Sequence, residues 1–177
     1  MVEPIVADLM ATRDMIARSR NSLPGDWNYS SFYDYVLDRG KLYPSAELTT
    51  DESKFLKPYL RYHRPKFKGC FSNAQKLVLK DTTEQLVYVE GYAYGPAQCF
   101  PMHHSWVTLN DKVIDTSWGP VYGKLPETWR YFGASFSRED IAKSCLLRKG
   151  ELWSIIDDWK NKWPVLQQPR LKELQHV

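Results

Sequence analysis

The stretch HHSWVTLNDKVIDTSW, residues 103–118, decides how the chain is read. Two runs, HSWVTL and KVIDTSW, flank Asn110-Asp111, which reads as the turn of a β-hairpin. With a two-residue turn, Leu109 faces Lys112 and Trp106 faces Asp115. Directly opposed residues share a face, and so do residues two apart along one strand. His104 therefore shares a face with Asp115, about 7–8 Å away on the diagonal, and His103 points to the other face. A slip of one residue in the turn would exchange the two histidines.

Upstream of the hairpin, LVYVEGYAY (86–94) is β-branched and aromatic and predicts a strand. Downstream, WRYFGASF (129–136) predicts another. Before the strands, GCFSNAQKLVLK (69–80) places Phe71, Ala74, Leu77 and Val78 at helical spacing, with Cys70 at the helix start. Residues 4–19 predict a helix with Pro4 early, SLPGDW a turn, and 30–39 a short helix stopped by Gly40. A further helix is expected over 49–62, capped by Thr50 and interrupted by Pro58. Ser137-Arg-Glu-Asp140 resembles a capping box opening a helix that carries Ile141, Cys145 and Leu146 and stops at Gly150. Leu152, Ile155, Ile156, Trp159 and Trp163 predict an amphipathic helix, and the polar tail after Pro164 is expected to be loose. The expected fold class is α+β, with a helix bearing the cysteine packed on a central antiparallel sheet. One domain spans 1–177: a core over 66–136, a helical extension over 1–65, helices over 137–163 and a tail over 164–177.

The 177 residues suffice for one domain with a real core. Hydrophobic residues at 43% and charged residues at 25% are ordinary for a soluble protein. Lys plus Arg is 24 against 21 Asp plus Glu, and a net charge of +3 is too small to argue for nucleic acid. The N-terminus MVEPIVADLM lacks a basic n-region, and no apolar run approaches the ~20 residues of a membrane helix. Three cysteines, an odd number, fit free thiols in a reducing cytoplasm.

A thiol attacks as thiolate, and its free pKa is about 8.5. At a helix start, unpaired N–H groups favour the anion at Cys70. Lys66 and Lys68 lie just upstream, and Gly69 permits a tight turn. The competing reading is a small core hydrophobe, the usual fate of a free cysteine. Cys145, on an apolar helix face, is expected in the core, and Cys99 lies in a loop without a helix start. A general base must reach the thiol and a carboxylate must orient the base. Hairpin parity names His104 and Asp115 for those roles.

Cysteine at a helix start, His-Ser-Trp-Val on a strand and Ile-Asp-Thr-Ser-Trp on the next resemble the core of transglutaminase-like proteins, within the broader papain-like thiol enzymes. The resemblance covers roughly residues 66–136. It implies that Cys70 is the nucleophile, His104 the base and Asp115 the orienting acid. Thr116-Ser117 stands where the family has Pro-Thr, and the hairpin is short. The stretch also resembles uncharacterised bacterial and phage proteins, and Cys-Phe-x-Asn with the final aspartate is similar to arylamine N-acetyltransferases. The function expected is cysteine-dependent acyl transfer or hydrolysis of an amide-type bond. A protein or peptide substrate is expected, or a small acyl donor, with no cofactor and no metal.

Glu90 and Tyr92 share a face of strand 86–94 and are candidates for lining a substrate cleft, with a polar strand edge plus core packing as the alternative. Asn73, one turn after Cys70, is a third candidate, against a plain helix-surface amide. Oxyanion donors would be the Cys70 N–H, with Gln98, Tyr92 or Tyr62 as side-chain guesses. Trp106 and Trp118 read as packing around the hairpin. A zinc site from Cys99, His103 and His104, with Cys70 as a further ligand, is disfavoured, because the spacing is not a standard finger and adjacent strand histidines diverge. The rival to an enzyme is a partner-binding or inhibitor protein on a papain-like scaffold.

Overall fold

Asn110 and Asp111 both take positive φ, 51° and 64°, which a two-residue hairpin turn of the type I′ class requires. Leu109 pairs with Lys112, Thr108 with Val113 and Val107 with Ile114, the register expected from the sequence. This hairpin belongs to a five-stranded antiparallel sheet in a computed structural model describing residues 2–20, 22–61, 63–66, 68–94, 98–118 and 129–171. The strands are β1 (Lys41–Tyr43), β2 (Val87–Tyr94), β3 (Met102–Leu109), β4 (Lys112–Ile114) and β5 (Arg130–Phe136), in the order β1-β5-β2-β3-β4. The α-helices are α1 (Pro4–Ser19), α2 (Phe32–Arg39), α3 (Thr50–Arg61), α4 (Cys70–Lys80) and α5 (Arg138–Leu147). The class is α+β. Among the described residues no helix is long and apolar enough to cross a membrane.

Helices α1, α2, α4 and α5 lie against the strands. One sheet face, with Tyr88, Tyr92, Val107, Leu109, Phe132 and Ala134, meets Ala74, Leu77 and Val78 of α4 in the main core, which also takes in Ile5 and Leu9 of α1 and Val36 of α2. Each fully buried aliphatic side chain of this kind stabilises by about 1.5–3 kcal/mol. The other face carries a smaller cluster of Val89, Ala93, Trp106, Val113 and Tyr131 with Tyr43 and Trp129. The first 65 residues thus enter the same core: β1 is an edge strand of the sheet, paired with β5.

Gly91 pairs with Gly133 on one side and His104 on the other. A Cβ at Gly91 would sit 2.3 Å from the Phe132 carbonyl oxygen and 2.4 Å from Gly133 Cα. A Cβ at Gly133 would strike Trp106 Cη2 at 2.8 Å. The bare row lets β2 and β5 approach closely and lets the Trp106 indole lie across them.

Several expectations are corrected. Helix α3 runs through Pro58. Its cap is Thr49, whose hydroxyl accepts from the Glu52 N–H at 3.2 Å while the Glu52 carboxylate accepts from the Thr49 N–H at 2.7 Å. Helix α5 has the predicted Ser137–Asp140 capping box, but it buries Ile141 and Ser144 and leaves Leu146 79% exposed, with Cys145 half-buried. The amphipathic helix over 152–163 does not form. Its Ile155 and Ile156 N–H groups donate to the buried Glu90 carboxylate at 2.8 and 3.2 Å instead of bonding along a helix. Arg148 pairs with Asp158, and Trp163 Nε1–H donates to Asp157 at 2.9 Å, so the segment folds as turns and a 3-10 turn at Trp159–Asn161. After it, Pro164–Gln167 is a second 3-10 turn with Val165 and Leu166 buried. The Leu166 carbonyl accepts from the Asn28 and Tyr29 N–H groups at 2.7 and 3.2 Å, so the chain is tied down here; residues 172–177 fall outside the described residues.

Candidate functional site

Strand β4 ends at Ile114, so the first half of β3 has no β4 neighbour. The start of α4 comes to this open edge. Gly69 closes a turn on Lys66 (N–H to carbonyl, 3.1 Å), and the helix begins at the next residue, Cys70. Asn73 fixes the approach. Its Oδ1 accepts from the Lys66 N–H at 2.9 Å; its Nδ2 donates to the Lys66 carbonyl at 2.9 Å and to Ser117 Oγ at 3.1 Å. One amide thereby ties the run into Cys70 to the turn that follows Asp115. Asn73 is 1% exposed, so it is neither the surface amide nor a free substrate contact. Its polar atoms are committed to holding the helix start in place.

His104 and Asp115 lie on one face, as strand parity predicts. Nε2 of His104 is 2.7 Å from Asp115 Oδ2. The same oxygen accepts from Tyr131 Oη–H at 3.1 Å, and Oδ1 accepts from the Ser117 and Trp118 N–H groups, each at 2.8 Å. Both side chains are buried. Trp118 stacks on the imidazole with ring centroids 4.0 Å apart and planes 13° from parallel, excluding water from the pair. Trp118 is therefore a cover for the histidine as well as hairpin packing.

Burial alone would pull the His104 pKa down. The negative Asp115 and its hydrogen bond outweigh that, and the Cys70 sulfur beside the ring adds to the rise, bringing the group to about 9. Burial would push Asp115 up, but the charge and hydrogen bond of His104, with the Trp118 and Ser117 N–H groups, hold it below the usual carboxylate range. The carboxylate is ionised and accepts, so His104 Nε2 donates. Nδ1 is left for a partner other than Asp115.

His103 takes the opposite face. Its Nε2 is 2.9 Å from Glu90 Oε1. Glu90 is fully buried and also accepts from Tyr88 Oη–H (2.7 Å), Ser154 Oγ–H and the Ile155 and Ile156 N–H groups. Burial would raise its pKa, but these donors, His103 first, hold it below the ordinary value. Glu90 and Tyr92 do share a face, but that face is turned away from His104. Glu90 is consumed as an internal acceptor, and Tyr92, 3% exposed, stacks on Tyr33 at 4.7 Å. Neither lines a cleft at the thiol. Cys99 is exposed, and the two histidines are held by different carboxylates. Among the described residues no group of three His, Cys, Asp or Glu forms a metal cluster. Gln98 donates to the Met102 sulfur at 3.4 Å, and Tyr62 lies outside the described residues.

Two features escape a reading of the sequence. Tyr131, the second side-chain donor to Asp115, comes from β5, which is not a neighbour of β4 in the sheet, and no local pattern marks it. The Asn73 clamp has a weaker signal, an amide one helical turn after the cysteine. The N–H groups of Cys70, Phe71 and Ser72, in the first turn of α4, have no acceptor within the helix. Chemically, the edge assembles a thiol, a charged imidazole, its orienting carboxylate and a set of N–H donors. Comparison with known protein families, with curated proteins and with solved structures finds no match for this chain.

Proposed function

We propose that the protein is a cysteine-dependent enzyme acting on an amide-type acyl bond, with a papain-like, transglutaminase-related arrangement of its core. The observation that supports this best is the His104–Asp115 pair at 2.7 Å, buried under Trp118, with the Cys70 sulfur among the groups that raise the imidazole. The Cys70 thiol proton passes to His104 Nδ1, and the sulfur attacks the substrate carbonyl, its electrons forming the S–C bond as the carbonyl electrons move to oxygen. The N–H groups at the start of α4 stabilise that oxyanion. His104 gives its Nδ1 proton to the departing amine as the C–N bond breaks, leaving a thioester on Cys70. Water or a second amine then attacks the thioester, its proton passing to His104; the C–S bond breaks, its electrons returning to sulfur, and the proton goes back from His104 to restore the thiol. Asp115 holds the ring in place throughout and stabilises it whenever it carries a proton on both nitrogens.

The three free cysteines supply an internal control. Access alone would make exposed Cys99 react first with iodoacetamide. The expected result at pH 7 is fastest labelling at Cys70, read by peptide mass spectrometry, and loss of that preference in His104→Gln. Labelling in order of exposure, unchanged by the substitution, would overturn the proposal.

A further inference from the structure

On the face of β3 opposite His104, a cavity of about 720 Å³ opens between α1, α2, the start of β3 and the 3-10 turn after Trp163. That volume suits a small organic molecule. Its walls include Trp27, Phe32, Tyr33, Tyr92, Phe100 and Trp163. The rings are already braced against one another: Trp27 meets Trp163 edge-on at 5.6 Å, and Tyr33 stacks on Tyr92 at 4.7 Å. A planar guest would therefore find flat walls with little ordering left to do.

The polar part of the lining is one-sided. Among the described residues, Arg20 and His103 line the cavity and no Asp or Glu does. Arg20 is steadied by the Ser30 carbonyl, which accepts from Nη1 at 2.8 Å, and by the Trp27 ring 5.4 Å from the guanidinium carbon. One N–H is thus fixed, and a guanidinium has four more to offer. His103 is oriented from behind by the wholly buried Glu90, and its side chain is one-quarter exposed. The mechanism proposed above uses neither residue. We propose that this cavity binds an aromatic carboxylate, its ring between the aromatic walls, its carboxylate on Arg20, and His103 as second polar contact.

Indole-3-acetate, followed by isothermal titration calorimetry on the full chain, is the probe, with indole-3-acetamide as its neutral counterpart. Saturable one-site binding of the acid is expected, about tenfold tighter than the amide, since a hydrogen bond to a charged group is worth that much. Arg20→Gln should erase the difference between acid and amide. His103→Phe, which keeps a ring in place, should weaken the acid several-fold. Cys70→Ser should bind as the wild type does, which separates this pocket from the thiol chemistry. No saturable binding of the acid, or acid and amide binding equally in the wild type, would overturn the proposal. Acid binding unchanged by both Arg20→Gln and His103→Phe would place the ligand elsewhere and overturn it too.

Discussion

Glu90→Gln is expected to lower the unfolding free energy by about 3–5 kcal/mol, the cost of breaking a buried charged network by altering one partner. The carboxylate accepts from five donors: Tyr88, His103, Ser154, Ile155 and Ile156. An amide of the same shape turns its NH2 toward N–H and O–H groups that now point at a carboxylate oxygen, and each buried donor left facing a donor carries its full desolvation cost. Against a typical total of about 5–15 kcal/mol the loss is large. Urea titration of the variant gives the value directly. Amide exchange at Ile155 and Ile156 should speed up with it, since those N–H groups bond to the carboxylate and not to a helix. A change below about 1 kcal/mol, the worth of an ordinary hydrogen bond, would mean that Glu90 does not organise residues 154–156.

Asp115→Asn is expected to reduce the reactivity of Cys70 by about 10²–10⁴-fold, the usual contribution of general acid–base catalysis. The asparagine oxygen can still accept from the Ser117 and Trp118 N–H groups, but its NH2 then faces His104 Nε2 and Tyr131. The attraction that raises His104 disappears while burial, which lowers it, remains. In the wild type the His104 resonance should titrate near pH 9; in the variant it should titrate below the ordinary 6.5. The effect on stability has a definite sign. A raised folded pKa contributes stability that is complete below pH 6.5 and is lost as pH rises through about 9. Asp115, lowered on folding, contributes stability above its ordinary value of 3.8 that is lost as pH falls through its folded value. Both describe one interaction and are not added. The variant should lack the decline in stability expected of the wild type between pH 6.5 and about 9. An unchanged His104 titration would remove Asp115 from its orienting role.

The hairpin was legible because its geometry is local. A two-residue turn fixes register, and period-two alternation then assigns every side chain to a face, which is how His104 could be paired with Asp115. Helix α4 was legible for a similar reason, since Ala74, Leu77 and Val78 repeat at helical spacing. Residues 152–163 misled because apolar spacing records burial and not backbone path. Ile155 and Ile156 are buried, but their N–H groups go to a carboxylate 65 and 66 residues earlier in the chain. The same long-range bond explains Glu90, which reads as a cleft residue on its strand and is an internal acceptor in the fold. Strand β1 carries three residues and no alternation long enough to read, and only its pairing with β5 defines it.

The most direct test of Cys70 as a nucleophile served by His104 is to find the acyl group. The protein is mixed with p-nitrophenyl acetate at neutral pH, quenched in acid, digested and mapped by mass spectrometry. The predicted result is a hydroxylamine-labile acetyl thioester on Cys70, absent from Cys99 and Cys145 and lost in His104→Gln. Acetylation spread over the three cysteines according to exposure, with no dependence on His104, would contradict it.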